Sequence, residues 1–192
     1  MHFPSLFQEA NALWLFFAVY FLAKYRSVRV KRSGVIVPIL SLERLCELVA
    51  VPMLFFPRTH IFSLATPLHA SHAIAMTGLV LVIAGLAFSA WSRDVLGRNW
   101  SGRVIIQDNH QLITAGPYAY VRHPLYTGIL IGAAGMTLIV ADWGAVLGFF
   151  FAALRFWLKA SNEERLLETE FGHLYTIYKS HTGALLPRIA HV

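Results

Sequence analysis

Apolar residues run in long blocks separated by short polar stretches. Ala73–Trp91 holds nineteen residues without a charge, enough for a helix to cross a hydrocarbon core of about 30 Å. Leu125–Ala141 and Trp143–Leu158 are parted only by Asp142, which predicts a tight helical hairpin. Leu13–Ala23 is short as an apolar run and extends back to near Leu6 by tolerating Gln8, Glu9 and Asn11 at an interface. It begins without positive residues and has no small-residue cleavage site, so it reads as a span rather than a signal peptide. A fifth block, Val35–Phe56, is interrupted by Glu43, Arg44 and Glu47. Lipid offers the backbone no hydrogen-bonding partner, so every span is expected to be helical. The pattern therefore predicts an all-α, polytopic integral membrane bundle of about five helices, forming one domain over 1–192, with three spans in 1–92.

Composition agrees with that reading and narrows it. The 192 residues are 57% hydrophobic and 14% charged, with a mean hydropathy of +0.57, whereas a soluble domain carries about 25% charge. Disorder is excluded by the same figures. The single cysteine, Cys46, rules out an intrachain disulfide and a multi-cysteine metal site. Of sixteen Lys and Arg, five lie in Lys24–Arg32, four in Arg93–Arg122 and five from Arg155 onward. They sit in loops between apolar runs, which is the positive-inside pattern rather than the basic face of a nucleic-acid binder. With those loops in the cytoplasm, the N-terminus lies outside the inner (cytoplasmic) membrane and the C-terminus inside. No nucleic-acid partner is expected. His60, His69 and His72 lack an accompanying carboxylate or cysteine, so no metal is expected either.

Gly128 and Gly132, and Gly144 and Gly148, place small residues four apart on the two hairpin arms, a spacing that lets helices approach closely. In the interrupted span, Arg44 and Glu47 are three apart and can pair on one helix face. Charge inside a span is also a default site hypothesis, so both readings of Glu43, Arg44 and Glu47 stay open.

The polar chemistry gathers in Arg93–His123 and in the tail from Lys159. In the tail, Leu167, Phe171, Leu174 and Tyr178 recur at helical spacing. This predicts an amphipathic C-terminal helix with Glu163 and Glu164 near its start, where the helix dipole favours negative charge, and with Gly172 marking a bend. In Gly116–Gly128, Gly116-Pro117 is a turn signal and Pro124 suits the first position of a membrane helix. The N–H groups at such a helix start can receive an anion. Arg122 and His123 stand beside them, and Tyr118, Tyr120 and Tyr126 offer faces to a cation. The combination suits a zwitterionic ligand; the alternative is an interfacial belt of Tyr, Arg and His.

The run Gly-Pro-Tyr-x-Tyr-x-Arg-His-Pro-x-Tyr-x-Gly at 116–128, followed by Glu163-Glu164, Leu166-Leu167, Phe171-Gly172, Tyr175, Tyr178 and Leu185-Leu186-Pro187, resembles the isoprenylcysteine carboxyl methyltransferase family. That family sits in a wider group of membrane methyltransferases that includes phospholipid methyltransferases. The resemblance covers roughly residues 95–188. It implies S-adenosylmethionine held in a cytoplasmic loop, with 93–192 as the catalytic part and a lipophilic methyl acceptor reached from membrane lipid. Carried over residue by residue, it places Gln107, His110, Gln111, Leu112, Ile113, Tyr118, His123, Pro124, Leu125, Tyr126, Glu163 and Glu164 at the cofactor. The family's substrate arginine falls where this chain has Lys159, with Arg155 one turn earlier. Lysine keeps the charge without the bidentate fork. Arg122, Arg155 and Lys159 are thus the candidates for holding an acceptor carboxylate, with Arg122 and Lys159 as the catalytic pair. The alternative within the group is N-methylation of a phosphatidylethanolamine-type amine. Outside it stand an NADPH-dependent sterol reductase-like protein and a non-catalytic membrane scaffold.

The charge distribution makes one direct forecast: a topology reporter at Arg98 should read cytoplasmic. A reporter reading outside would invert the assignment.

Overall fold

Two glycines on one helix and three on the next let backbones touch, and the bundle is built around that seam. The computed structural model describes residues 4–24, 30–33, 41–56, 68, 70–100, 105–107 and 111–188. Its elements are α1 (Pro4–Ala23), β1 (Val30–Ser33), α2 (Leu42–Phe55), α3 (His72–Leu96), β2 (Ile105–Gln107), α4 (Pro124–Val140), α5 (Trp143–Phe171) and α6 (His173–His181). On α3, a Cβ at Gly85 would lie 2.5 Å from both the Gly128 carbonyl and the Gly132 nitrogen of α4. One at Gly78 would lie 2.6 Å from the Gly135 carbonyl. Ser89, fully buried on the same face, donates to the Leu125 carbonyl at 2.7 Å.

The hairpin forecast holds in its turn. Ala141 reverses the chain at φ 50°, and Asp142 caps α5 by accepting from the Ala145 N–H at 2.6 Å. The small-residue spacings serve other partners, however. Gly128 faces α3, a Cβ at Gly132 would meet Trp14 of α1 at 3.0 Å, and Gly148 faces α2, where its Cβ would meet Met53 Cβ at 2.8 Å. The main neighbour of α4 is α3, and that of α5 is α2.

Among the described residues, three helices are long and apolar enough to cross a membrane: Pro4–Ala23, His72–Asn99 (α3 with the 3-10 turn that follows it) and Trp143–Phe171. The shorter apolar helix α4 has 17 residues. The interrupted span is described only from Leu42, as the 14-residue α2, about 21 Å long. Ser41 and Ser71 cap α2 and α3 through their hydroxyls. The chain is an integral membrane helical protein.

One end of the bundle carries a feature the hydropathy pattern does not contain. Strands β1 and β2 pair antiparallel, Val30 opposite Gln107 and Ser33 opposite Ile105. Beside them the end of α1 is latched to α3. Asp94 takes the Lys24 ammonium and accepts from the Tyr20 hydroxyl at 2.6 Å. Arg93 donates to the Lys24 carbonyl at 2.9 Å and stacks over Trp100 at 4.3 Å.

Because only backbone lies opposite Gly85, nothing can yield to a methyl group there. Gly85→Ala should destabilise the detergent-purified protein by about 1–3 kcal/mol, read as a lowered thermal midpoint. An unchanged midpoint would show that the seam has slack.

Candidate functional site

The sequence Arg122-His123-Pro124 ends a turn and starts α4, and the C-terminal tail is laced along it. The Arg122 N–H donates to the Gly183 carbonyl at 2.9 Å and the His123 N–H to the Ala184 carbonyl at 3.0 Å. The Thr127 hydroxyl donates to the Leu185 carbonyl at 2.6 Å, and the Tyr178 hydroxyl to the Tyr118 carbonyl at 2.7 Å. The two N–H groups just before Pro124 are thereby occupied by the tail.

Glu163 and Glu164 do not begin a separate helix. Helix α5 runs unbroken from Trp143 to Phe171, so both acids lie well inside it, out of reach of a favourable N-terminal dipole. Side chains compensate instead. Arg122 Nε donates to Glu164 Oε1 at 2.8 Å, His123 Nε2 lies 3.3 Å from the same oxygen, and Lys179 Nζ lies 3.2 Å from Oε2. On the other edge of the imidazole, Nδ1 is 3.5 Å from Glu163 Oε2, and the Tyr126 hydroxyl donates to Glu163 Oε1 at 2.5 Å. The His123 and Tyr126 rings are parallel, their planes 4° apart and their centroids 5.5 Å apart.

The two adjacent acids differ in setting. The Glu164 side chain is 11% exposed against Arg122 at 8%, while Glu163 is 20% exposed. Arg122 also donates through Nη1 to the carbonyls of Lys179 and Thr182. Arg122, expected to receive an acceptor carboxylate, is thus engaged through Nε and Nη1 in fastening tail to helix. Lys159 instead reaches over the Tyr126 ring, 5.2 Å from its centroid. Arg155 lies deeper, with Nη2 3.1 Å from Glu47 of α2. Arg44 also pairs with Glu47, at 3.6 Å, but is itself mostly exposed. The intramembrane pairing thus joins α2 to α5, a link that spacing along one helix cannot reveal.

Around Tyr126 the wall is apolar: Leu125, Phe156 and Ala160 are buried, with Phe21, Trp100, Ile129, Leu130 and Leu185 against them. Phe156 packs on Tyr126 at 5.0 Å and Phe21 on Trp100 at 5.5 Å. Helix α1, which carries no motif, therefore contributes to the site through Phe21. Tyr118 is buried and donates to the Ser92 carbonyl at 3.3 Å. The Gln111 N–H donates to Asn99 Oδ1 at 3.0 Å. Leu112 and Ile113 are partly buried ahead of the turn, and Pro124 is buried at the start of α4. Gln107 lies on β2, while His110, His60 and His69 lie outside the described residues. Gly172, at φ +51°, ends α5 and makes the expected bend. The buried residue of α6 is Tyr175, fully enclosed, rather than Leu174, which is 64% exposed.

Burial works against the His123 imidazolium, but the hydrogen bonds it donates to the Glu163 and Glu164 carboxylates outweigh it and raise the His123 pKa. Burial likewise opposes ionisation of Glu164, yet His123 and Arg122 bring its carboxyl down to about 2. Stability from His123 is therefore full below the unfolded histidine value near 6.5 and is lost as pH rises through the folded value. Stability from Glu164 is full above the ordinary carboxylate range and is lost as pH falls through about 2. The thermal midpoint should be highest in mildly acidic solution and decline on the alkaline side, and His123→Gln should flatten that decline. An unaltered alkaline slope would assign it to another group. Glu164→Ala leaves Arg122 buried without its carboxylate and should destabilise by about 3–5 kcal/mol.

Comparison with known proteins places this geometry. Residues 76–169 match the model of the isoprenylcysteine carboxyl methyltransferase (ICMT) family. A probable protein-S-isoprenylcysteine O-methyltransferase of Oryza sativa subsp. indica is 34% identical over 115 residues, covering 57% of this chain and 60% of the relative. The protein-S-isoprenylcysteine O-methyltransferase of Saccharomyces cerevisiae is 27% identical over 198 residues, covering 96% of this chain and 80% of the relative. The chain thus spans about 60% of the length of the rice protein. A solved structure of a eukaryotic intramembrane Ras methyltransferase, ICMT, is similar in fold, with a TM-score of 0.60 at 23% identity over 76% of this chain and 52% of that one. Residues 76–169, which carry both the α3–α4 seam and the acids of α5, are thus similar to the isoprenylcysteine carboxyl methyltransferase family.

Proposed function

We propose that the protein is an S-adenosylmethionine-dependent membrane methyltransferase that esterifies the carboxylate of an isoprenylcysteine-like, lipophilic acceptor. The observation that carries this reading is the meeting of Glu163, Tyr126 and His123 with an apolar wall and the Lys159 ammonium. Glu163 is the carboxylate for a sulfonium cation, since it turns toward Tyr126 and His123 while Glu164 turns to Arg122 and the tail. Glu163, Tyr126, His123, Pro124, Leu125 and Tyr118 would hold the donor, together with the segment from Gln107 through His110, Gln111, Leu112 and Ile113. When bound, S-adenosylmethionine supplies an electrophilic methyl group.

The chain's own residues do the rest. Lys159 and Arg155 hold the acceptor carboxylate, and Arg122 keeps the tail in place. A carboxylate is already ionised at neutral pH, so no general base is required. Alignment of two held reactants supplies about 7–11 kcal/mol of barrier lowering. Leu125, Phe156, Ile129 and Leu130 exclude water from the attacking oxygen. The site end faces the cytoplasm, because the basic loops gather there.

Transfer of labelled methyl from S-adenosylmethionine to N-acetyl-S-farnesylcysteine by the purified protein tests the reading. The expected product releases volatile label in base. Stable label in added phosphatidylethanolamine, with none in the acid, would overturn it in favour of amine methylation. Glu163→Ala should lower S-adenosylmethionine affinity by tenfold or more, on the scale of about 1.5–3 kcal/mol for a charged contact.

A further inference from the structure

Beyond Thr182 the chain returns from α6 to the level of the first turn of α4. The Thr127 hydroxyl, on that turn, holds the Leu185 carbonyl, and Leu185 packs with Tyr126. The tail therefore lies where an apolar helix begins, at the boundary between acyl chains and head groups. Leu186, next along, is 75% exposed, and at that boundary an exposed leucine meets acyl chains. A tight turn then folds the chain back. A Cβ on Gly183 would strike the Leu186 carbonyl and come within 3.1 Å of the Arg188 nitrogen. Arg188 thereby reaches the end of α6, where its Nη1 donates to the Ser180 carbonyl.

Arg122, Lys179 and Arg188 line one open groove between α6 and the tail, and no acid lines it with them. Two carboxylates of α5 stand behind these cations. Arg122 bonds Glu164, and Lys179 bonds both Glu164 and Glu168. Arg188 has no carboxylate partner among the described residues. Arg122 is engaged through Nε and Nη1, and its Nη2 makes no hydrogen bond among those residues. The groove is left with an excess of one positive charge and with guanidinium N–H groups able to donate. A phosphodiester brings one negative charge and oxygens suited to that fork.

We propose that this groove binds an anionic membrane phospholipid. Its phosphodiester accepts from Arg188 and Arg122 with the Lys179 ammonium alongside, and its acyl chains lie against Leu186. A free phosphate would meet the same cations but forgo the acyl contact, so the lipid is the favoured occupant. A zwitterionic lipid would bring its own ammonium to a groove that is already positive, which favours an anionic head group. The site is separate from Glu163, Lys159 and the apolar wall around Tyr126, and it stands independently of the methyl-transfer reading. Arg122 and Lys179 are also the cations that fasten the tail to α5. A lipid bound to them reinforces that fastening, so its binding is read as stability.

The test titrates the full chain, stripped of lipid in a neutral detergent, with phosphatidylglycerol while the thermal midpoint is followed. The midpoint should rise and saturate with the mole fraction of that lipid in the micelle. Equal mole fractions of phosphatidylcholine should raise it far less, and inorganic phosphate at the same total concentration should leave it unmoved. Arg188→Gln should raise the mole fraction needed for half the effect about tenfold, as expected for a hydrogen bond to a charged group. Arg188→Lys, which keeps the charge without the fork, should fall between. Arg165→Gln removes a cation of α5 that does not line the groove and should leave the titration unchanged. A cooperative transition without added lipid reports that each variant is folded. No response to phosphatidylglycerol, or an equal response to phosphatidylcholine or to inorganic phosphate, would overturn the site. Equal weakening by Arg188→Gln and Arg165→Gln would also overturn it, by showing attraction to the basic surface as a whole.

Discussion

The Arg122–Glu164 pair is the contact on which the site depends. Glu164 lies on α5, Arg122 just ahead of α4, and the arginine also holds the carbonyls of Lys179 and Thr182. A single guanidinium thus joins the end of α5, the start of α4 and the C-terminal tail. Only a planar fork with several fixed donors makes those bonds at once. Because burial leaves the charges few alternatives, the pair fixes geometry more than it adds net stability.

That fastening divides two neighbouring acids into different roles. Glu164 is turned inward to the tail; Glu163, one residue earlier and so rotated around the helix, faces Tyr126 and His123. The α3–α4 glycine seam sets the position of Tyr126 from below, and α5, at 29 residues and about 43 Å, carries its acids beyond a hydrocarbon core of about 30 Å. Under the proposed function, a water-soluble donor and a lipid-borne acceptor would meet at that level. Ladders of charge along α5, from Arg155 through Lys159 to Glu163, lead from lipid depth to that meeting point.

Much of this was legible in the sequence because lipid simplifies the rules. Uncharged runs gave the positions of α3, α4 and α5, Asp142 gave the hairpin turn, and the motif from Gly116 to Gly128 gave the turn and the start of α4. Three things were not legible. The continuity of α5 through Lys159–Phe171 was hidden because hydropathy falls where the helix leaves the apolar zone, although its backbone hydrogen bonds continue. The internal engagement of Arg122 was hidden because its partners lie some forty to sixty residues away, beyond any periodicity. The β1–β2 ribbon was hidden because strands of four and three residues are too short to carry a hydrophobic alternation. The apolar stripe of the tail misled at Leu174, since the buried position of α6 is the aromatic Tyr175.

A double-mutant cycle on Arg122 and Glu164, read by thermal unfolding in detergent, addresses the account most directly. Arg122→Met, Glu164→Gln and the combined variant should show a coupling energy above about 1 kcal/mol, as expected of groups in one buried network. Additive losses, within about 0.5 kcal/mol, would mean that the arginine and the acid act independently and that the tail is held to the membrane helices by something else.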